Sequence, residues 1–280
     1  MTRPTTGLWS SPMLLWAAAA VVVFNGFFPA VWILFTSLKT ESELVQKPIT
    51  WWPDVPTLEN YVRAFTDQPL LLYLKNSLLV ASAATVLSLL VATMAAYAIA
   101  RLNLRRRQLI LTCIVASSMF PLVTLLVPIF ETMRALGWLN TYMALVLPYV
   151  VLNLPVCTLV LVSFFQSIPR DLENAAMIDG CTRIGALWHV VVPLATPGVF
   201  TAGILAFVNA WDEFLLALSL NSSPAVRTLP VGITLYQGEF SFPWPIISAA
   251  LIVAIVPIAI LIALFQERVV GGLTQGGLKG

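Results

Sequence analysis

The chain has 280 residues, of which 59% are hydrophobic and only 10% charged, with a mean hydropathy of +0.90. Soluble domains carry about a quarter charged residues, so this composition excludes a soluble globular fold and indicates a polytopic membrane protein. The formal net charge of +2 is too small to suggest a nucleic-acid partner. Cys113, Cys157 and Cys181 have no metal-ligand spacing and read as small buried hydrophobes rather than a disulfide framework.

Crossing hydrocarbon takes ~20 apolar residues in a helix. Six segments qualify, at about 13–37, 73–100, 108–131, 139–166, 194–220 and 245–266. They predict an all-α membrane fold of six transmembrane helices within 13–270, preceded by a short N-terminal segment (1–12) and followed by a tail (271–280). The first apolar run is about 25 residues, longer than the ~7–15 of a signal core, and is expected to be a retained span.

Placing the N-terminus inside puts Arg3, Arg101, Arg105, Arg106, Arg107, Arg170, Arg183, Arg268 and Lys279 on the cytoplasmic side. The opposite side then receives Lys39, Lys47, Arg63, Lys75, Arg134 and Arg227. The Arg105–Arg107 cluster lies in a very short loop, where the positive-inside rule is strongest, so both termini are expected in the cytoplasm.

The outer loop from about 38 to 72 has features of its own. Trp51 and Trp52 suit the membrane interface. Leu58, Tyr61, Val62 and Phe65 recur at helical spacing, which predicts a short amphipathic helix, either packed on membrane or bundle or offering a docking surface to an external partner. Pro121 and Pro128 then interrupt the third span, and Pro148, Asn153 and Pro155 the fourth. A proline frees a carbonyl that must find a partner or line a water-filled cavity, so these spans are pathway candidates, Asn153 included.

Between the fourth and fifth spans lies a polar insert, 169–193. Pro169 fits a helix start, with Asp171 and Glu173 near the positive end of its dipole. Leu172, Ala175, Ala176 and Asp179 share a narrow face of small side chains, and Gly180 permits a sharp reversal. Thr182 can cap a second helix with an apolar stripe of Ile184, Leu187, Trp188 and Val191. Such a knob suits a groove on another protein; an ordinary interfacial loop has the same periodicity. His189 reads as an interface residue.

The fifth span carries Asn209, Trp211, Asp212 and Glu213. Intramembrane carboxylates are functional candidates by default, although Asp212 lies about 28 Å along a helix counted from Pro193, near the outer interface. Solvated interfacial acids are the alternative, and Trp211 is either a sugar-stacking platform or an interfacial anchor.

The run Glu173-Asn-Ala-Ala-Met-Ile-Asp-Gly180, followed by Pro193-Leu-Ala-Thr-Pro197, resembles the EAA loop of ABC-importer permeases. Ser37-Leu-Lys-Thr40, Leu58-Glu-Asn-Tyr61, Asn76-Ser77, Trp211-Asp-Glu-Phe214 and the Gly272–Gly280 tail extend the likeness to maltose-type carbohydrate-uptake permeases. The resemblance implies an ABC type I importer permease fold in a bacterial or archaeal inner membrane, forming half of a pathway for a sugar (an oligosaccharide or α-glucoside). It also implies a homologous second permease, two ATPases that bind ATP and magnesium, an extracytoplasmic solute-binding protein and alternating access. Glu173, Asn174, Ala175, Ala176, Asp179 and Gly180 would couple to the ATPase, and the tail would reach toward the ATPase dimer. Asn174 departs from the motif glutamate.

Sugar pockets use aromatic faces and planar polar side chains, so Asn153, Asn209, Trp211 and Asp212, with Glu213 beside them, are candidates for the substrate pathway; by the resemblance, glycerol phosphates or polyols are further cargoes of the family. No phosphate-binding loop of the form G-x-x-x-x-G-K-[ST] occurs in the sequence, so ATP hydrolysis is expected from a separate subunit, with no catalytic residues and no metal here. A proton-coupled secondary carrier using Asp212 or Glu213 is the rival reading, but the repeats common in such folds are not visible between the two halves.

Overall fold

The computed structural model describes residues 12–238 and 241–277, and expectations for the extreme termini lie outside the described residues. In chain order the main helices are α1 (Pro12–Ser37), α2 (Glu41–Leu44), α3 (Glu59–Thr66), α4 (Leu70–Arg101), α5 (Arg107–Ser118), α6 (Leu122–Ala135), α7 (Met143–Ser167) and α8 (Arg170–Ile178). There follow α9 (Arg183–Ala186), a π-helical turn (Leu187–Val191), α10 (Val192–Leu194), α11 (Thr196–Trp211), α12 (Leu215–Leu220), α13 (Leu229–Thr234) and α14 (Trp244–Gly277). Among the described residues the fold is helical, as composition required.

In place of the six expected spans there are four continuous helices and two bent pairs. Met13–Ser37, Leu70–Arg101, Met143–Ser167 and Trp244–Phe265 are each long and apolar enough to cross a membrane, whereas α5 and α6 meet at 89° and Arg183–Leu194 meets α11 at 82°. Pro121 explains the first break. It cannot donate to the preceding turn, and it sits extended (φ −63°, ψ 129°) at the N-cap of α6. Pro128, by contrast, stays inside α6, as Pro148 and Pro155 stay inside α7. The second bend falls at Ala195, flanked by Pro193 and Pro197, where the missing Pro197 amide interrupts the ladder. The expected 194–220 span is therefore two helices, broken at Asp212–Phe214. The last helix runs past the expected span end, through Gly277.

The chain divides into two compact units, 1–69 with 233–255 and 70–232 with 256–280. In the first, none of the most apolar window of α1 is buried. Trp51 meets α1 edge-on at Trp32 (5.5 Å), and Trp52 meets Phe35 (4.9 Å). Polar bonds fix the loop after α1. Buried Asn60 donates to the Ser37 and Lys39 carbonyls, both at 2.8 Å, and Lys39 donates to the Thr50 carbonyl. The expected amphipathic helix forms as α3, with its apolar stripe exposed rather than packed inward. It buries Asn60 and Ala64, while Leu58, Val62 and Phe65 are exposed.

The second unit is built on α4, α7 and α11, which pack closely against one another. Small residues make this possible. A Cβ at Gly198 would come within 2.3 Å of the Phe164 ring, so only glycine lets α11 approach α7 this closely. Of the three cysteines only Cys157 is buried; Cys113 lies on α5, which buries no side chain, and Cys181 lies in the turn after α8, so the expectation of buried thiols fails for both.

Candidate functional site

The insert at 169–193 folds as expected locally. Pro169 occupies the N-cap of α8, and Asp171 and Glu173 fall in its first turn. Gly180 follows the helix with φ +95°, the left-handed conformation in which a side chain is strained. The Gly180 amide donates to Met177 (3.2 Å) and that of Cys181 to Ala176 (2.9 Å), the paired bonds of a Schellman motif. Thr182 then caps α9, its Oγ1 accepting from the Gly185 amide at 3.0 Å.

Glu173 is turned inward. Its carboxylate, 7% exposed, lies 3.1 Å from Arg101 Nε at the end of α4, and its other oxygen accepts from the Tyr97 hydroxyl. Arg101 also donates to the Ile168 carbonyl at 3.0 Å, tying α4 to the α7–α8 junction. Glu173 thus fastens α8 to the bundle, its side chain turned inward while Asn174 is exposed. Asn174, Ala175, Asp179 and Gly180 are exposed, Ala176 is half-buried, and Leu172 and Ile178 project outward (46% and 86% exposed).

The second helix departs from its expected stripe. The backbone widens into a π turn over Leu187–Val191, which shifts the angular register. Leu187 and Val191 are buried, while Ile184 and Trp188 stay exposed. His189 is exposed, with Nδ1 2.9 Å from the Gly185 carbonyl. Leu187 and Val191 join the apolar cluster formed by Ala96, Leu161, Phe165 and Ala202 of α4, α7 and α11. The insert is therefore anchored to all three core helices: to α4 by the ion pair, to α7 through Ile168, and to α11 by packing and chain continuity.

The intramembrane polar residues separate into exposed and buried groups. Asn153 is 3% exposed, accepts from Asn209 Nδ2 at 3.3 Å and lies 3.4 Å from the Ala206 carbonyl, bridging α7 and α11. Trp211 is 3% exposed and stacked on Phe207 at 5.6 Å, so it offers no open face for sugar stacking within this chain. Glu213 accepts from Tyr149 (2.6 Å) and from the amides of Leu216 (2.8 Å) and Ala217 (3.1 Å). Its carboxylate thereby closes the N-terminus of α12. Only Asn209 and Asp212 of the five are exposed.

Sequence reading missed Tyr97, Arg101 and Tyr149, because each partner lies more than sixty positions away. It also noted Asn76 and Ser77 without a role. Asn76 donates to the carbonyls of Ala225 (3.0 Å) and Arg227 (2.9 Å) and accepts from Tyr142, while Ser77 Oγ accepts from the Leu229 amide. The pair pins the segment after α12 onto the start of α4.

Residues 71–275 match the family described as "binding-protein-dependent transport system inner membrane component". The chain is 71% identical over 275 residues to a sulfoquinovosyl glycerol transport system permease protein of Agrobacterium fabrum, covering 98% of this chain and 96% of that one. It is 38% identical to a trehalose/maltose transport system permease protein of Thermococcus litoralis, covering 96% and 97% of the two chains. Its fold is shared by a chain of a bacterial ABC transporter that imports the acidic polysaccharide alginate, at 20% identity and a TM-score of 0.79, covering 91% and 95%. The chain therefore belongs to the binding-protein-dependent transport system inner membrane components, as a multi-pass permease subunit of an ABC importer and not its ATPase.

Proposed function

We propose that this chain is one of two permease subunits of an importer for sulfoquinovosyl glycerol, an anionic glycoside of glycerol. The 71% identity over nearly the full length of both chains carries this reading. The trehalose/maltose permease, at 38%, supports the wider class of sugar cargo. The partners are a homologous permease, a solute-binding protein delivering sugar from outside, and two ATPases that bind ATP and magnesium on the cytoplasmic side. Both termini lie in the cytoplasm.

The exposed surface of α8, formed by Leu172, Asn174, Ala175, Ile178 and Asp179, meets the ATPase, with the Gly180 turn setting its angle to α9. Closure of the ATPases displaces α8 and α9 together. Because Glu173, Ile168 and the Leu187–Val191 turn hold that element to α4, α7 and α11, the displacement passes to the helices that frame the pathway. Asn209 and Asp212 contribute hydrogen-bonding groups to that pathway, while Asn153, Trp211 and Glu213 hold the surrounding helices in place. The wholly exposed apolar window of α1 is covered by the partner permease and lipid.

The cargo is tested with the solute-binding protein that serves this permease, titrated calorimetrically against sulfoquinovosyl glycerol, trehalose and maltose. Binding of sulfoquinovosyl glycerol at least ~100-fold tighter than either disaccharide supports the assignment. Tighter binding of trehalose or maltose refutes it.

A further inference from the structure

A cavity borders α8 and shares Asn174 with its exposed face. It has a volume of about 390 Å³, within the ~300–1,000 Å³ of small-ligand sites, and is lined by Arg101, Asn103, Arg170, Glu173, Asn174 and Arg183 among others. Its walls come from the end of α4, the α4–α5 turn, α8 and the start of α9.

The charges do not balance. Arg101 and Glu173 neutralise each other at 3.1 Å, and Glu173 is the one carboxylate among the described lining residues. That leaves Arg170 and Arg183, neither of which pairs with a carboxylate among the described residues. Arg170 reaches only the Ala100 carbonyl, at 3.5 Å. Asn103 and Asn174 add neutral amide groups, and the positive end of the α8 dipole lies at Arg170. Arg105 and Arg106, exposed in the adjoining turn, raise the local potential further. Two forked guanidinium groups with flanking amides suit a tetrahedral oxyanion. The cavity also opens where α4 ends and α5 begins, the depth of the headgroups in the reading above, on which this inference rests.

We propose that this cavity binds a phosphate-class anion, either the headgroup phosphate of an anionic lipid or free phosphate. The anion joins the α4–α5 turn (Asn103) to the coupling element (Arg170 and Arg183), so its occupancy stiffens the link between ATPase and bundle. Basic pockets at the cytoplasmic ends of transmembrane helices hold lipid headgroups by this chemistry.

The test uses the whole importer, purified and analysed by native mass spectrometry for retained anion, so its readout does not depend on transport. In one arm the complex is placed, in buffer without inorganic phosphate, in nanodiscs of zwitterionic phosphatidylcholine with or without anionic phosphatidylglycerol; in the other, inorganic phosphate is titrated into phosphatidylcholine nanodiscs. Retention of phosphatidylglycerol or of phosphate that weakens about five-fold in Arg170→Ala or Arg183→Ala, and about thirty-fold in the double variant, supports the site and identifies the source. Arg105→Ala, outside the cavity wall, weakens retention less than about two-fold, and Arg170→Lys/Arg183→Lys, which keeps the charge without the fork, restores part of it. Equal retention in the wild-type complex and the double alanine variant, in both arms, overturns the proposal. So does an equal loss in Arg105→Ala, which would mark a diffuse surface attraction. Absence of ATP-driven uptake with Arg-dependent retention intact would instead count against the importer reading alone.

Discussion

Replacing Glu173 by alanine strands the Arg101 guanidinium in a site where its side chain is 4% exposed. Removing one partner of a buried ion pair costs about 3–5 kcal/mol, because the remaining charge is left without compensation. The Tyr97 hydroxyl loses its acceptor as well. For a chain of this size each kcal/mol lowers Tm by about 2–4 °C, so Glu173→Ala is expected to unfold roughly 6–20 °C earlier. Removing both charges is a different perturbation. Arg101→Leu with Glu173→Leu leaves no buried ion and is expected to recover most of the loss, since apolar replacement of a buried pair is often neutral. The assay is thermal unfolding of the purified complex in detergent, with transport and ATPase rates measured in parallel. A Glu173→Ala variant as stable as wild type would refute the fastening, as would a double variant less stable than either single change.

Gly198→Ala forces a Cβ to within 2.3 Å of the Phe164 ring, and such overpacking costs about 1–3 kcal/mol; thermal unfolding should show the loss and Phe164→Val should relieve it. Tyr149→Phe removes a 2.6 Å hydrogen bond to Glu213, worth about 1.5–3 kcal/mol because the acceptor is charged. Its stability should fall, while a Glu213→Gln background should shrink the effect. Gly180→Val meets no neighbour within 4 Å, so its penalty, of order 1–2 kcal/mol, is backbone strain at φ +95°. That variant should assemble normally yet lose stimulation of ATPase by loaded binding protein; unimpaired stimulation would contradict the coupling role of the turn.

What was legible in the sequence was local. Pro169, Gly180 and Thr182 announce a helix start, a reversal and a cap because each acts on its own backbone within a few residues, and each occupies the expected position. Pro121 announces a break for the same reason, although not the 89° angle, which depends on what α5 and α6 pack against. Long-range pairing was not legible. Nothing near Glu173 points to Arg101, seventy-two positions earlier, so the ion pair that turns this loop residue inward was invisible in the sequence. Apolar periodicity also did not say which face of a helix is buried. On α3 the polar Asn60 is the anchor and Leu58, Val62 and Phe65 face outward, because buried carbonyls after α1 needed donors more than the bundle needed another leucine. The π turn at Leu187–Val191 has no sequence signature, yet it decides which half of the expected stripe is buried.

In the proposed mechanism an ATPase drives sugar uptake by displacing the 169–193 element. The most direct measurement is uptake of labelled sulfoquinovosyl glycerol into proteoliposomes holding the complete importer, with the solute-binding protein outside. Uptake is expected to require ATP inside, to be indifferent to an imposed proton gradient, and to be abolished by Gly180→Val while the complex stays assembled. Uptake driven by a proton gradient without ATP, or ATP-driven uptake untouched by Gly180→Val, would contradict it.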